Sequence, residues 1–135
     1  MKREIKSRVW DEIDKKMYYA GKCKLSIDLF GYIYDDESTE PTTSMNHRMK
    51  LLRGTGLKDK NGVEIYEGDI LSLSRCNPKE YKVGFIEGAF CLCFINGIWK
   101  NHYALDMNYI QRSLKKKSEV IGNIYENPEL VDNSD

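Results

Sequence analysis

GTGLKDKNGVEIYEGDIL, residues 54–71, decides how this chain folds. Asp59-Lys60-Asn61-Gly62 carries an Asp that can bond its own turn backbone and an Asn-Gly pair that tolerates φ > 0, so it reverses the chain. Val63, Ile65 and Tyr66 then resume an apolar strand. Glu67-Gly68-Asp69 bends again, and Ile70, Leu71 and Leu73 start the next strand.

Upstream, residues 5–19 offer two readings. Ile5, Val9, Ile13 and Met17 fall four apart, as on one face of a helix. Arg8-Val9-Trp10 and Met17-Tyr18-Tyr19 are instead β-prone clusters flanking a polar turn at 11–16, and this favours a hairpin. Residues 24–34 alternate: Leu25, Ile27 and Leu29 face one way, Ser26 and Asp28 the other, as in a half-buried strand that Gly31 bends or divides. Residues 35–46, DDESTEPTTSMN, are acidic and hydroxyl-rich and read as a solvated connector.

Met49, Leu51 and Leu52 form a short strand. Downstream, 75–79 reads as a loop, 81–87 as a strand, Glu87-Gly88 as a turn and 89–95 as a strand. Asn96-Gly97 is a two-residue hairpin signal, with the return strand beginning at Ile98-Trp99. Residues 104–114 fit either a short helix or an irregular strand and loop, and 115–118 read as exposed. The final strand spans 119–125 and stops at Asn127-Pro128, because Pro cannot continue a ladder. Residues 131–135 read as a disordered tail. Many short strands divided by tight turns describe a small rolled β-barrel, whose closure removes exposed edges.

The totals restrict function more than they reveal it. Of 135 residues, 41% are hydrophobic and 31% charged, which is ordinary for a globular domain. Lys+Arg and Asp+Glu are 21 each, so zero net charge gives no whole-molecule drive toward nucleic acid or membrane. No apolar run is long enough to span a bilayer, and the charged N-terminus lacks a signal-peptide core. The expectation is a cytoplasmic protein with no membrane partner, whose cysteines (Cys23, Cys76, Cys91, Cys93) are free thiols.

Three separated pieces resemble the YopX family of small phage and prophage proteins. They are Arg8-Val9-Trp10-Asp11 with Lys16-Met17; Thr55-Gly56-Leu57-Lys58-Asp59-Lys60-Asn61-Gly62 through Glu64-Ile65-Tyr66-Glu67-Gly68-Asp69-Ile70; and Val120-Ile121-Gly122-Asn123-Ile124-Tyr125-Glu126-Asn127-Pro128-Glu129-Leu130. The resemblance implies an all-β fold: an N-terminal β-hairpin or small sheet plus a C-terminal SH3-like rolled barrel. The corresponding divisions are 1–46, 47–130 and a tail at 131–135. It implies a bacterial host cell but no activity, since the family has no established function. Trp10, Gly56, Asp59, Gly62, Gly68, Asp69, Gly122 and Asn123 stand in its motifs and read as structural.

Candidate chemistry is sparse. Cys91-Leu92-Cys93 sets two thiols on one strand face, with Phe90, Leu92 and Phe94 on the other. A structural zinc site wants four ligands and no second pair follows, so the expectation is no metal and no cofactor. His47 and His102 have no motif spacing to a nucleophile, and no catalytic residue is expected. Glu64, Glu67 and Asp69 could be paired acid and base carboxylates; turn capping explains them more simply. The glycines fit turns, with no phosphate-loop pattern. Arg112, Lys115, Lys116 and Lys117 form a basic run, and Arg48, Lys50 and Arg53 another. Either could hold a phosphate backbone while nearby Tyr or Trp stacks on bases, or simply be a solvated edge. The expectation is a non-enzymatic accessory protein that binds a host or phage protein, with nucleic-acid binding through 112–117 as the alternative. Exposed strands also leave self-association open.

Overall fold

The structure, a computed structural model, describes residues 6–19, 25–27, 33–35, 49–75, 80–95, 102–104 and 108–131. The chain is mostly β, as the sequence leads one to expect, and divides into two compact units, Met1–Arg53 and Gly54–Asp135. The division falls inside a strand, β5 (Met49–Lys58). The acidic connector expected to mark the seam lies, apart from Asp35, outside the described residues.

In the first unit the hairpin reading holds. β1 (Ser7–Asp11) pairs antiparallel with β2 (Lys16–Tyr19), in register from Arg8↔Tyr19 to Asp11↔Lys16. Asp11 builds the turn: its Oδ1 accepts the amides of Ile13 at 3.0 Å and Asp14 at 3.2 Å. Lys15 closes it at φ +55°. The apolar residues spaced four apart were a coincidence, since Ile13 sits in this turn, 66% exposed, while Val9 and its neighbour Trp10 are both buried. On its other side β1 pairs with residues 49–53 of β5, and Glu12 takes Lys50 at 2.8 Å. That hydrogen bond holds the Glu12 carboxyl below its ordinary range. Of the two readings for 24–34, a strand bent or divided at Gly31, the divided one holds: β3 (Leu25–Ile27) and β4 (Ile33–Asp35) pair antiparallel. Gly31 lies between them, outside the described residues.

In the second unit residues 54–58 of β5 pair with β6 (Glu64–Tyr66), with a break in register between Gly54 and Lys58 where Gly56 takes φ +81°. A curled antiparallel sheet follows. β7 is Asp69–Leu73, β8 Glu80–Ile86, β9 Ala89–Phe94, β10 His102–Ala104 and β11 Ser118–Asn123, in the order β10-β9-β8-β7-β11. Glu87 and Gly88 both have positive φ and join β8 to β9 as a two-residue hairpin turn. The Asn96-Gly97 turn lies outside the described residues.

Of the two readings for 104–114 the helix holds from Asn108, and the exposed reading of 115–118 is corrected at Ser118. Residues 108–117 are helical: α1 (Asn108–Lys117) lays Ile110 and Leu114, one turn apart, on a core made by Ile65, Leu71, Leu73, Tyr81, Val83 and Leu92. Ser118, expected to be exposed, is fully buried and begins β11. Its hydroxyl donates to the Leu114 carbonyl at the helix end, which meets the hydrogen-bonding need that burial imposes. The last strand is accordingly displaced, starting at Ser118 and ending at Asn123, with Tyr125 in the following turn. Pro128 opens a short 3-10 helix, Pro128–Leu130, and of the expected tail only Val131 is described.

Candidate functional site

The site is built from the Asp59 turn. The buried Asp59 carboxylate accepts three backbone amides: Oδ1 takes Asn61 and Val63, each at 2.9 Å, and Oδ2 takes Val120 of β11 at 3.0 Å. The Lys60 amide donates to the Ser118 carbonyl at 3.0 Å. The turn is thus fixed to the strand that α1 feeds into, and Lys58 and Lys60 project from either side of a carboxylate whose charge is already engaged.

Between this turn and the exposed side of α1 lies an open groove of about 690 Å³. Lys58 and Lys60 line it from the turn; Gln111, Arg112 and Lys115 line it from the helix. Gly56, Leu57, Asp59 and Gly62 supply the remaining wall. Four cations therefore surround one space, and the lone lining carboxylate is committed to backbone amides. Such a groove can hold an anion by charge and by hydrogen bonds from Lys and Arg.

The basic run is divided by the helical period. Arg112 and Lys115, three apart, share the groove; Lys116 and Lys117 do not line it. Of the second basic group, Lys50 is engaged by Glu12, Arg53 belongs to the first unit, and Arg48 is outside the described residues. Lys58 and Lys60 were missed as candidates. The signal for them was present: two lysines flanking a turn-building Asp are aimed outward once that Asp turns in.

The remaining signature residues make structure. Trp10 is buried in β1. Asp69 accepts the Tyr66 amide through Oδ2 at 2.8 Å, and Gly68, at φ +90°, donates to the Val83 carbonyl and accepts from Ile124. A Cβ on Gly68 would stand 2.8 Å from the Tyr125 ring. Asn123 Oδ1 accepts the amides of Tyr125 and Glu126 at 3.1 and 2.8 Å, closing the turn after β11. Gly122 sits beneath the Asn127 side chain, where a Cβ would lie 2.6 Å from Oδ1.

The model of the YopX protein family matches residues 6–132. The chain belongs to the YopX family. Two solved structures share the fold. Protein EF1440 from Enterococcus faecalis is 26% identical over 97% of this chain and 100% of that one, with a TM-score of 0.60. Protein yopX from Bacillus subtilis is 24% identical over 96% and 98%, also at 0.60. Among curated proteins none matches the chain.

In this YopX-family chain the Cys91 and Cys93 thiols are buried, with Sγ atoms 3.6 Å apart. Leu92 is buried on the opposite, core-facing side, so both faces of β9 are covered. Burial, and next the neighbouring Cys93 thiol, push Cys91 up to about 11. Both sulfurs lie against Gly84 of β8, where an added Cβ would be 3.2 Å from Cys93 Sγ and 3.5 Å from Cys91 Sγ. Two buried thiols packed over a glycine behave as two small apolar groups. Among the described residues no three His, Cys, Asp or Glu side chains are grouped to hold a metal. No helix is long and apolar enough to cross a membrane, among the residues described.

Proposed function

We propose that this protein is a non-enzymatic binding module of a bacteriophage or prophage, working inside the bacterial host cell, and that its ligand is a phosphate polymer, DNA or RNA. The observation that carries the reading is the convergence of Lys58, Lys60, Arg112 and Lys115 on one groove. Two of the four come from the family motif and two from the helix, so the cations are held by one folded unit. Zero net charge gives little long-range steering, and at physiological salt charges are screened beyond about 8 Å, so binding depends on close phosphate contacts. Four such contacts give a slope of log K against log salt of about −3.6.

The test is titration of labelled single- and double-stranded DNA and RNA across a salt series. Wild type binds with that slope, R112E/K115E loses binding with the fold intact, and K116E/K117E loses less. Equal binding by R112E/K115E and wild type would remove the groove from the reading. No binding even at low salt would leave a host or phage protein as the ligand class, the reading that sequence alone favoured.

A further inference from the structure

We infer that Glu64 and Glu119 are built-in counter-ions of this groove and set how tightly it holds a phosphate polymer. The inference rests on the polyanion reading above. Strand pairing puts Glu64 opposite Lys58, and Lys58 Nζ lies 4.0 Å from Glu64 Oε1. The Lys60 amide bonded to the Ser118 carbonyl brings that lysine beside the next residue of β11, and Lys60 Nζ lies 3.9 Å from Glu119 Oε2. The fold thus gives one acid to each turn lysine. Among the described residues no carboxylate pairs with Arg112 or Lys115, and Asp59 spends its oxygens on backbone amides.

Both pairs sit at the outer limit of ion-pair distance; Lys58, Lys60 and Glu119 are exposed and Glu64 is partly buried, so each pair is weak and exchangeable. An incoming phosphate takes the lysine and leaves a carboxylate close behind, which repels it. A dense anion such as a phosphodiester chain overcomes that competition through several contacts at once. A single acidic side chain does not. The two glutamates therefore lower affinity for every anion and favour polymers of high charge density.

The decisive comparison is E64Q/E119Q against wild type, with a short labelled DNA duplex as probe across a salt series. The variant should bind about tenfold more tightly at low salt, because Lys58 and Lys60 no longer leave a carboxylate to meet phosphate, and the gain should shrink as salt rises. E80Q/E129Q adds the same charge at exposed residues paired with no groove cation, and should shift binding much less. Wild-type-like or weaker binding by E64Q/E119Q, or an equal gain in E80Q/E129Q, overturns the inference while leaving the polyanion reading in place. Failure of both wild type and E64Q/E119Q to bind overturns both. Circular dichroism checks the fold; should the double variant lose it, E119Q alone, at a half-exposed side chain, is read by the same criteria.

Discussion

Asp59 Oδ2 accepts the Val120 amide at 3.0 Å, joining a tight turn to the last strand across 61 residues. The same carboxylate closes its own turn through Oδ1, so one side chain couples local and long-range structure. Asp59→Ala leaves three amides without this acceptor at a buried position and should cost about 2–4 kcal/mol. Asp59→Asn keeps one oxygen for the turn and loses the bond to Val120, so it should cost about 1 kcal/mol. Urea denaturation measures both; equal costs would show that the turn bonds to Asn61 and Val63 contribute nothing beyond the bond to Val120.

Gly122 and Asn127 form a second, closer lock. The Asn127 Oδ1 that a Cβ on Gly122 would meet at 2.6 Å also accepts the Asn123 amide at 3.2 Å. Gly122→Ala must push that side chain away and should destabilise by about 1–3 kcal/mol. In an Asn127→Ala background most of the clash is absent, although Leu130 at 3.1 Å remains. A double-mutant cycle should therefore show coupling of about 1 kcal/mol, with Gly122→Ala cheaper in the second background. Additive costs would place the strain elsewhere.

These two locks explain how far the chain was legible. Turn chemistry is written locally, so the Asp59-Gly62 and Glu67-Asp69 reversals and the strands they divide could be read directly. The hairpin over the helix at residues 7–19 rested on where aromatic and β-branched residues cluster, which outweighed a four-residue spacing. What was not legible depended on distant partners. Residues 104–114 left helix and strand both open, because the choice rests on the core beneath Ile110 and Leu114. Ser118 looked exposed because its partner is a helix-end carbonyl. The groove was half visible for the same reason: the basic run was noticed, whereas Lys58 and Lys60 acquire meaning only when the turn is seen facing α1.

Cys91 gives a pH-dependent test of the core. Its thiol rises from an ordinary value of 9.0 to about 11 in the folded protein, first through burial and then through Cys93. The sign follows from which state holds the proton. Between these values the unfolded chain has released it and the folded chain has not, so the unfolded state binds fewer protons and stability falls as pH rises. The contribution is fully present below pH 9 and is lost by about pH 11. Lysines and tyrosines titrate in the same window, so the informative quantity is the difference between wild type and Cys91→Ala. Cys91→Ala should start less stable at neutral pH, having lost a buried sulfur that packs against Gly84 and Cys93, and should lose stability less steeply between pH 9 and 11. Parallel curves would mean that the thiol ionises as freely in the folded protein as in the unfolded chain. Labelling should agree: with Cys23→Ser and Cys76→Ser in place, a thiol reagent under native conditions should react with Cys91 far more slowly than in urea.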